Sequence, residues 1–496
     1  MAWLQPGRAA HYLLLYLAGA LLTLAFQPFD IIPLSLLAFV VLLYSWSRST
    51  PKQAFRGGWW FSMGLQTTGV SWIFFSLYYH GNAPAALAVL MIIFLAAYLS
   101  LYPALAGWLV NRFIKAGDSV RLIVLYPLSW GVFEWLQGWV MTGFAWMQPG
   151  YTLIDTPLAG FAPLLGNHAL GVLLLMLAGA MVAMLLGHVR QWLPVVLFFV
   201  LLVTGYVLQQ VQWTQPLPQT VRVSLIQGNV PQHLKWQREM RTPTLQRYAG
   251  LTRQQQDVDI ILWPETAVPG YQHRLQAYIA QLDDAMRAQN SELLMGIFIR
   301  DPGSGRYYNS LLNSNGQAYK KRHLVPLGEY IPLRFMVDFF SRWIDIPMSD
   351  IAHGDEQQAL LQAAGQPLGV SICFEDAFAR DVRRDLPAAT LLVNVSNDAW
   401  FDGSHQPWQH HAIARMRALE SGRPMLRATN TGISAIIDAD GSVQALAPKG
   451  EIAVLRGAVH PYQGATPYVR WGEVPWLTLA LVVLLSCALR GRRQTE

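Results

Sequence analysis

The sequence has 496 residues, of which 53% are hydrophobic and 13% charged, with a formal net charge of +6. Soluble globular chains carry about 25% charged residues, so this composition excludes an entirely water-soluble protein and predicts that part of the chain lies in lipid. The Lys and Arg residues are scattered among short connectors, which argues against a nucleic-acid-binding surface. The two cysteines, Cys373 and Cys487, do not suggest a disulfide framework, because Cys487 lies in the last apolar run.

Apolar runs dominate the chain before residue 212, and most of them approach the length of about 20 residues that spans a bilayer as a helix. They cover residues 13–22, 31–46, 57–78, 84–110, 122–140, 165–187 and 192–208. One further run, 474–489, closes the chain. The first run is followed by similar runs, which favours a retained anchor over a cleaved signal peptide. We therefore expect eight transmembrane helices.

Lys and Arg residues occur in alternate connectors between these runs. They are Arg8, then Arg48, Lys52 and Arg56, then Arg112, Lys115 and Arg121, then Arg190, and finally Arg490, Arg492 and Arg493. The other connectors, 26–33, 79–83 and 138–164, contain none. Because short cytoplasmic loops are enriched in Lys and Arg, this alternation predicts that both termini are cytoplasmic. The large domain between the seventh and eighth runs would then be periplasmic in a bacterium.

This pattern predicts three parts of the chain. Residues 1–212 form an N-terminal transmembrane domain, 213–473 a periplasmic domain, and 474–496 a C-terminal transmembrane helix with a cytoplasmic tail. Within the periplasmic part, β-rich runs alternate with helical patterns at about 238–256, 271–289, 376–386 and 405–421, which is typical of an α/β or layered α+β domain. The runs predicted as strands are VRVSLIQGNV, DIIILWPET, ELLMGIFIR, PLGVSICFED, TLLVNVSND, PMLRATNTG and ISAIIDADG.

Several of these strands are apolar at nearly every position and end abruptly in polar residues, as expected for buried strands with chemistry at their ends. ILWPETAVP delivers Glu265, YKKRHLVPLGEYIP delivers Lys321 and Glu329, and SICFED delivers Cys373 and Glu375. A thiol with a free pKa of about 8.5 needs a base or a positive neighbour to act as a nucleophile near neutral pH. A free cysteine packed in a strand as a small hydrophobe is the structural alternative.

The segments WPET, HLVPLGEYIP, CFED and NVSNDAWF together resemble the nitrilase superfamily of carbon–nitrogen hydrolases, over about residues 220–460. That resemblance implies an αββα sandwich with a Glu-Lys-Cys triad. The expected eight-helix frame is not found in soluble members, and with it the whole chain resembles one membrane-anchored branch, the apolipoprotein N-acyltransferase family. The implied fold is a bundle of eight transmembrane helices plus a nitrilase-like sandwich.

The resemblance assigns roles residue by residue. Glu265 corresponds to the family's base and Cys373 to its nucleophile. The family pattern of lysine, any residue, His and Leu fits the letters KRHL, which selects Lys321 rather than Lys320 as the catalytic lysine.

Three further features follow from the same resemblance, and a fourth follows from composition. Glu329 and Glu375 match two supporting carboxylates around the site. Phe374 stands where many relatives have Tyr, so a role there falls to its ring or backbone N–H. Trp236 is placed to line an acyl or head-group pocket, with an interfacial Trp as the alternative. Residues 334–350 are apolar and aromatic, and form either a lid that dips into the bilayer or an ordinary packed helix.

The implied activity is N-acylation of the N-terminal diacylglyceryl-cysteine of an apolipoprotein by a phospholipid, with phosphatidylethanolamine as the family's typical donor. It proceeds through a thioester on the cysteine, in the bacterial inner membrane and without a cofactor. The histidines at 405, 410 and 411, near Asp398 and Asp402, match no common metal-ligand spacing, so no metal is expected.

Two alternatives stay open at this point. A membrane-anchored amidase or nitrilase would use the same triad and pass the acyl group to water. A non-catalytic membrane scaffold would not need Glu, Lys and Cys together at strand ends.

Overall fold

The computed structural model describes residues 6–326, 328–330 and 351–493, with side chains up to residue 490. The chain divides into two units, which we call the helical unit and the sandwich unit. The helical unit comprises residues 1–71, 89–212 and 470–496, and the sandwich unit comprises 72–88 and 213–469. Residues 72–88 therefore belong to the sandwich unit although helical stretches flank them in sequence.

The apolar runs fold as α-helices. The longer helices are Ala9–Leu22, Pro33–Ser47, Pro51–Gly69, Ala85–Leu99, Leu101–Phe113, Tyr126–Gln137, Ala162–Leu185, Trp192–Gln209 and Val474–Arg493. Short helical turns occupy Thr23–Ala25, Ile73–Phe75, Ser76–His80, Asp118–Val120, Arg121–Leu125, Val140–Thr142, Pro149–Leu153 and Pro157–Phe161.

Three helices among the described residues are long and apolar enough to cross a membrane, namely Ala85–Phe113, Pro157–Leu185 and Trp192–Gln209. Three more are apolar but shorter, namely Ala9–Ala25, Pro33–Ser47 and Val474–Arg490. Helix Pro51–Gly69 carries Lys52 and Arg56 near its start, and helix Tyr126–Gln137 has 12 residues. Length and composition therefore do not confirm eight crossings.

Small residues allow two helices of the helical unit to pack with their backbones in contact. A Cβ atom on Gly19 would collide with the carbonyl oxygen of Phe61, and one on Gly64 would collide with that of Tyr16. Close approach at small residues is the usual way in which membrane helices associate, because lipid gives no hydrophobic drive. Helices Ala9–Leu22 and Pro51–Gly69 are therefore held by direct backbone packing.

The sandwich unit is built on two six-stranded sheets. The strands are β1 Thr214–Pro216, β2 Val221–Gln227, β3 Ile260–Leu262, β4 Glu292–Arg300, β5 Tyr307–Asn313, β6 Ala318–Lys320, β7 Leu361–Ala363, β8 Gln366–Ile372, β9 Leu391–Ser396, β10 Met425–Thr429, β11 Ala435–Ile437, β12 Val443–Leu446, β13 Ala453–Val459 and β14 Tyr462–Gly464. Sheet A has the strand order β13-β2-β3-β4-β5-β6, and sheet B has the order β12-β11-β10-β9-β8-β7. Strands β2, β3 and β4 run parallel, as do β8, β9 and β10.

Helices and short helical turns follow or connect the strands. They are Gln232–Lys235, Arg238–Arg253, Gln272–Arg274, Gln276–Arg287, Cys373–Ala377, Ala379–Arg384, Asp398–Phe401, Gln406–Ser421 and Pro467–Trp471. Helices Arg238–Arg253 and Gln276–Arg287 pack on sheet A through an apolar cluster that includes Tyr248 and Met286. Helix Gln406–Ser421 packs on sheet B through Ala414 and Ala418.

The main core lies between the two sheets. Apolar side chains from both contribute to it, including Leu225 and Leu262 from sheet A and Val370 and Val393 from sheet B. Apolar residues on both faces of each sheet explain the nearly continuous apolar strands. The order of layers is helix, sheet, sheet, helix, and the predicted nitrilase-like sandwich is confirmed.

Candidate active site

Three residues from separate strand ends come together in the sandwich unit. Glu265 follows β3, Lys321 follows β6, and Cys373 follows β8. The Nζ of Lys321 lies 3.6 Å from Oε1 of Glu265, and the Cys373 thiol interacts electrostatically with both side chains. A carboxylate and an ammonium group thus follow strands of sheet A, and a thiol follows a strand of sheet B.

The carboxylate of Glu265 is held by two donors. Nδ2 of Asn309 donates to Oε1 at 2.7 Å, and the backbone N–H of Asn397 donates to Oε2 at 2.9 Å. The side chain is buried. A buried carboxylate with fixed donors keeps one orientation, which a general base requires.

Lys321 is the buried cation of the cluster, with its side chain 1% exposed. Its Nζ lies 2.9 Å from the Glu329 carboxylate, and Nδ2 of Asn309 donates to Oε1 of Glu329 at 3.0 Å. Burial lowers the pKa of Lys321, but attraction by Glu329 and Glu265 outweighs burial and raises the pKa above its ordinary value. Lys321 is therefore a fixed ammonium group.

The neighbouring Lys320 lies in a different environment. It is the last residue of β6 and is half-buried. Its Nζ sits 4.4 Å from the centroid of the Tyr308 ring, a cation–π contact. The ammonium group in contact with Glu329 and Glu265 thus belongs to Lys321.

Cys373 has an unusual backbone, with φ at 56°. A residue with a side chain in this left-handed region is strained by about 1–3 kcal/mol and persists only where its surroundings hold it. Burial raises the pKa of the Cys373 thiol, and Glu265 raises it further, while Lys321 lowers it. The resting thiol is therefore protonated, and it could act as a nucleophile only if a base took its proton.

Glu375 is enclosed by hydrogen-bond donors. The backbone N–H groups of Arg322 and His323 donate to its Oε1 at 2.6 Å and 2.9 Å. The N–H of Ile372 donates to Oε2 at 2.6 Å. Burial raises the pKa of Glu375 to about 7, although Lys321 and these N–H groups favour the carboxylate. Glu375 ties the segment after Lys321 to the end of β8.

Two aromatic residues predicted near the site have distinct environments. The Phe374 ring packs edge-on against Phe378, with centroids 5.0 Å apart. Trp236 is 41% exposed, and its ring centroid lies 5.8 Å from that of Phe298. Trp236 therefore presents an accessible aromatic face beside a buried ring. The predicted lid, residues 334–350, lies outside the described residues.

The structure adds two residues that the sequence reading did not select. Asn309 bridges Glu265 and Glu329 from within β5. Lys235 is 1% exposed, and its Nζ donates to the Glu265 carbonyl at 3.2 Å and to Thr266 Oγ1 at 2.6 Å. Burial lowers the pKa of Lys235 to about 7, although Glu265 opposes this. Its place in HLKWQ, directly before Trp236, was the only available signal.

The histidines do not form a metal centre in the described part of the chain, where no group of three or more His, Cys, Asp or Glu side chains is placed to hold a metal ion. His410 lies between two carboxylates, with Nε2 2.8 Å from Asp376 and Nδ1 3.1 Å from Asp398. Its surroundings are those of a buried ion-pair network.

Comparison with known proteins agrees with this fold. Residues 222–467 match the family model described as carbon–nitrogen hydrolase, and the sandwich unit belongs to that class. Residues 18–180 match the model described as apolipoprotein N-acyltransferase N-terminal domain. The chain belongs to the apolipoprotein N-acyltransferase family, and it is a membrane protein.

Curated relatives with the name apolipoprotein N-acyltransferase match nearly the full length. The protein of Methylococcus capsulatus is 43% identical over 98% of this chain and 97% of its own length. The protein of Nitrosomonas europaea is 42% identical over 95% of this chain and 96% of its own. That of Vibrio vulnificus is 39% identical over 94% of each chain.

Proposed function

We propose that this protein transfers a fatty acyl chain from a membrane phospholipid to the α-amino group of an apolipoprotein's N-terminal diacylglyceryl-cysteine. One observation carries the proposal. Buried Glu265 and Lys321 meet the strained Cys373 at the strand ends of a carbon–nitrogen hydrolase sandwich. A base, a cation and a nucleophile are the groups that two-step acyl transfer requires.

In the first half-reaction, Glu265 takes the thiol proton while the Cys373 sulfur attacks the ester carbonyl carbon of the phospholipid. The carbonyl oxygen becomes an oxyanion. When it collapses, the ester C–O bond breaks and the leaving alkoxide takes the proton from Glu265. The products are a thioester on Cys373 and a lysophospholipid.

The oxyanion needs donors that are already in place. The Lys321 ammonium and the backbone N–H of Phe374 are the proposed pair. Removing one such donor in comparable acyl-transfer sites lowers kcat about 100- to 1000-fold. Glu329, 2.9 Å from the Lys321 Nζ, keeps that ammonium charged and in place. Glu375 holds the backbone beside it.

In the second half-reaction, the α-amino group of the lipoprotein attacks the thioester carbon. Glu265 accepts a proton from this amine, the carbon–sulfur bond breaks, and the thiol is restored with that proton. The new bond is an amide. Trp236, with its exposed face, is proposed to line the pocket for the acyl chain or head group. No cofactor or metal takes part in either step.

The family resemblance also supports phosphatidylethanolamine as the donor and the bacterial inner membrane as the location. We propose eight membrane crossings, with residues 1–212 and 474–496 as the membrane parts and 213–473 as the periplasmic catalytic domain. The alternating Lys and Arg connectors support this orientation. Both termini then lie in the cytoplasm.

A reporter fusion tests the orientation. A fluorescent protein that matures only in the cytoplasm, fused after Glu496, should fluoresce. A periplasmic enzyme reporter at the same point should be inactive, and one inserted in the connector 138–164 should be active. A dark cytoplasmic fusion at normal expression, with an active periplasmic reporter, would overturn the orientation.

A reconstituted assay tests the reaction. Purified protein is mixed with phosphatidylethanolamine carrying a labelled acyl chain, with and without a diacylglyceryl lipopeptide. The expected result is labelled lipopeptide and lysophospholipid in equal amounts. Labelled free fatty acid regardless of the acceptor would indicate a membrane-anchored amidase or nitrilase type of hydrolase instead. Absence of label in every product would indicate a non-catalytic protein.

A further inference from the structure

Two side chains contact the carbonyl oxygen of Cys373. Nδ2 of Asn394 donates to this oxygen at 3.3 Å, and Nε2 of His410 also lies 3.3 Å from it. Asn394 comes from β9 and His410 from helix Gln406–Ser421. Two separate elements therefore fix the direction of one peptide carbonyl.

His410 can act as a donor because of its neighbours. Nε2 lies 2.8 Å from Asp376 and Nδ1 lies 3.1 Å from Asp398, and these side chains are at most 1% exposed. Burial and Arg427 lower the pKa of His410, but Asp376 and Asp398 outweigh both and raise it. Because a carboxylate faces each ring nitrogen, both nitrogens are placed to donate, and Nε2–H would point toward Asp376 and the Cys373 carbonyl.

Arg427 completes the network and orients Asn394. Its guanidinium lies 3.1 Å from Asp398 and 3.4 Å from Asp376, and it donates to Oδ1 of Asn394. Because Oδ1 of Asn394 accepts a hydrogen bond from Arg427, the amide nitrogen of Asn394 must face the Cys373 carbonyl. Two cations and two anions are thus buried together without excess charge.

The network also contacts the thiol. Ser396 donates to Oδ1 of Asp398 at 2.8 Å, and its side chain hydrogen-bonds with the Cys373 side chain. Cys373 is therefore held at its carbonyl and at its sulfur by the same set of residues. This set provides the external hold that the strained φ of 56° requires.

A trans peptide has its C=O and N–H on opposite sides. Fixing the Cys373 carbonyl toward the network turns the Phe374 N–H to the opposite face, away from His410. We infer that Asn394 and His410 are positioning residues that lock the Cys373–Phe374 peptide so that its N–H serves as an oxyanion donor. This inference rests on the proposed acyl transfer. It assigns a function to the buried histidine and arginine beneath the nucleophile.

Two rate constants of the same thiol test the inference, measured in a Cys487→Ala background so that Cys373 is the only cysteine. The first is thioester formation from labelled phosphatidylethanolamine without an acceptor, which needs the oxyanion donor. The second is alkylation by iodoacetamide at the same pH, which needs the thiolate but forms no oxyanion. Both reactions use the Cys373 thiol, so the ratio of the two rate constants cancels changes in its ionisation and accessibility. Neither rate constant depends on the amount of folded protein.

Asn394→Ser removes one amide donor without changing charge, and His410→Leu removes the other donor at similar side-chain size. The acylation-to-alkylation ratio should fall about 100-fold in each, the effect of losing one oxyanion donor. His411→Leu is the matched control, because His411 is a buried neighbour on the same helix, and its ratio should equal that of the parent. Restoring a donor with His410→Lys should recover part of the loss.

The outcomes separate this inference from the proposed function. A parent protein that acylates, with an unchanged ratio in both Asn394→Ser and His410→Leu, would reject the positioning role alone. Equal losses in the two rates would also reject it, since they would indicate a displaced thiol. A parent that forms no thioester would reject the proposed function and the inference with it. If one variant does not fold, the other decides.

Discussion

The two sides of the candidate active site hold their charged groups in different ways. On the side of sheet A, Glu265 and Glu329 share a single buried cation, Lys321. On the side of sheet B, Asp376 and Asp398 are matched by two cations, His410 and Arg427. We call these the acid–base side and the nucleophile side.

This difference in charge balance separates two tasks. The acid–base side has one carboxylate more than it has cations, so it can take up a proton without creating a buried excess of positive charge. The nucleophile side is balanced, and a proton gained or lost there would leave an uncompensated buried charge, which is strongly unfavourable. The first side is suited to moving protons, and the second to holding a strained backbone still.

The largest expected effect concerns the Cys373 thiol, because the proposed reaction has no nucleophile without it. Cys373→Ala should lower acyl transfer at least about 1000-fold. Enzyme with labelled phospholipid and no acceptor should hold label that neutral hydroxylamine releases, since a thioester is a discrete intermediate. The Ala variant should hold none.

Two companions make this test specific. Cys373→Ser keeps the volume, but its hydroxyl has a far higher pKa than a thiol, so turnover should also collapse. Cys487→Ala should match the parent. Near-normal transfer by Cys373→Ala would exclude a covalent mechanism through Cys373. The residue would then serve only in packing.

The next effect tests the single cation of the acid–base side. Lys321→Met removes the charge and keeps much of the stem, so Glu265 and Glu329 would face each other unpaired. Transfer should fall about 100- to 1000-fold, as for loss of an oxyanion donor. Lys320→Met, at the neighbouring half-buried position, should keep most of the activity. Loss of activity in Lys320→Met with activity kept in Lys321→Met would assign the catalytic role to Lys320 instead.

A smaller effect tests the link between the two sides. Glu375→Gln replaces one acceptor oxygen by an NH₂ group, which would face a backbone N–H of Arg322, His323 or Ile372. Such a mismatch of buried donors costs about 1–3 kcal/mol. We expect a lower thermal midpoint and a loss of transfer of about tenfold. The control Glu239→Gln, at an exposed position of helix Arg238–Arg253, should change neither. Full activity in Glu375→Gln would show that the two sides align without it.

Much of the acid–base side was predictable, because Glu265 and Lys321 each end or follow a recognisable run. Asn309 was not. It lies in β5, Tyr307–Asn313, whose polar residues obscure the apolar pattern of a strand. Its partners Glu265 and Glu329 are 44 and 20 residues away in the sequence. Strand β13, which is mostly half-buried and carries Arg456 and Gly457, also gave no strand signal. Such elements are fixed by pairing within the sheet and not by local pattern.

The nucleophile side was predictable only in part. The sequence indicates Cys373 as a candidate nucleophile, but it predicts PMLRATNTG only as a strand, and it suggests no role for the histidines beyond an unfulfilled metal-ligand spacing. Arg427 and His410 meet because β8, β9 and β10 lie side by side and helix Gln406–Ser421 covers them. That arrangement is a property of sheet order, which no single segment reveals. The positive φ of Cys373 was likewise invisible in the sequence.

The last prediction concerns how stability depends on pH. Lys235 supports the turn at Glu265 and Thr266 on the acid–base side. Burial lowers its pKa to about 7, whereas an unfolded lysine has a pKa of about 10.4. Between these values the unfolded chain binds a proton that the folded chain does not, so folding becomes more favourable as pH rises through this window. Below about pH 7 the burial of the charged group destabilises the fold by a constant amount.

The free energy of unfolding of Lys235→Met, minus that of the parent, should therefore be most favourable to the variant near pH 7. This difference should decrease by at most about 1.4 kcal/mol per pH unit toward pH 10. Thermal unfolding in detergent at several pH values measures the difference. Trp236→Phe, at the adjacent position and without a titratable group, should show a constant offset instead. A flat difference for Lys235→Met would mean that Lys235 stays charged in the folded protein, and the acid–base side would then hold two full cations and be balanced like the other.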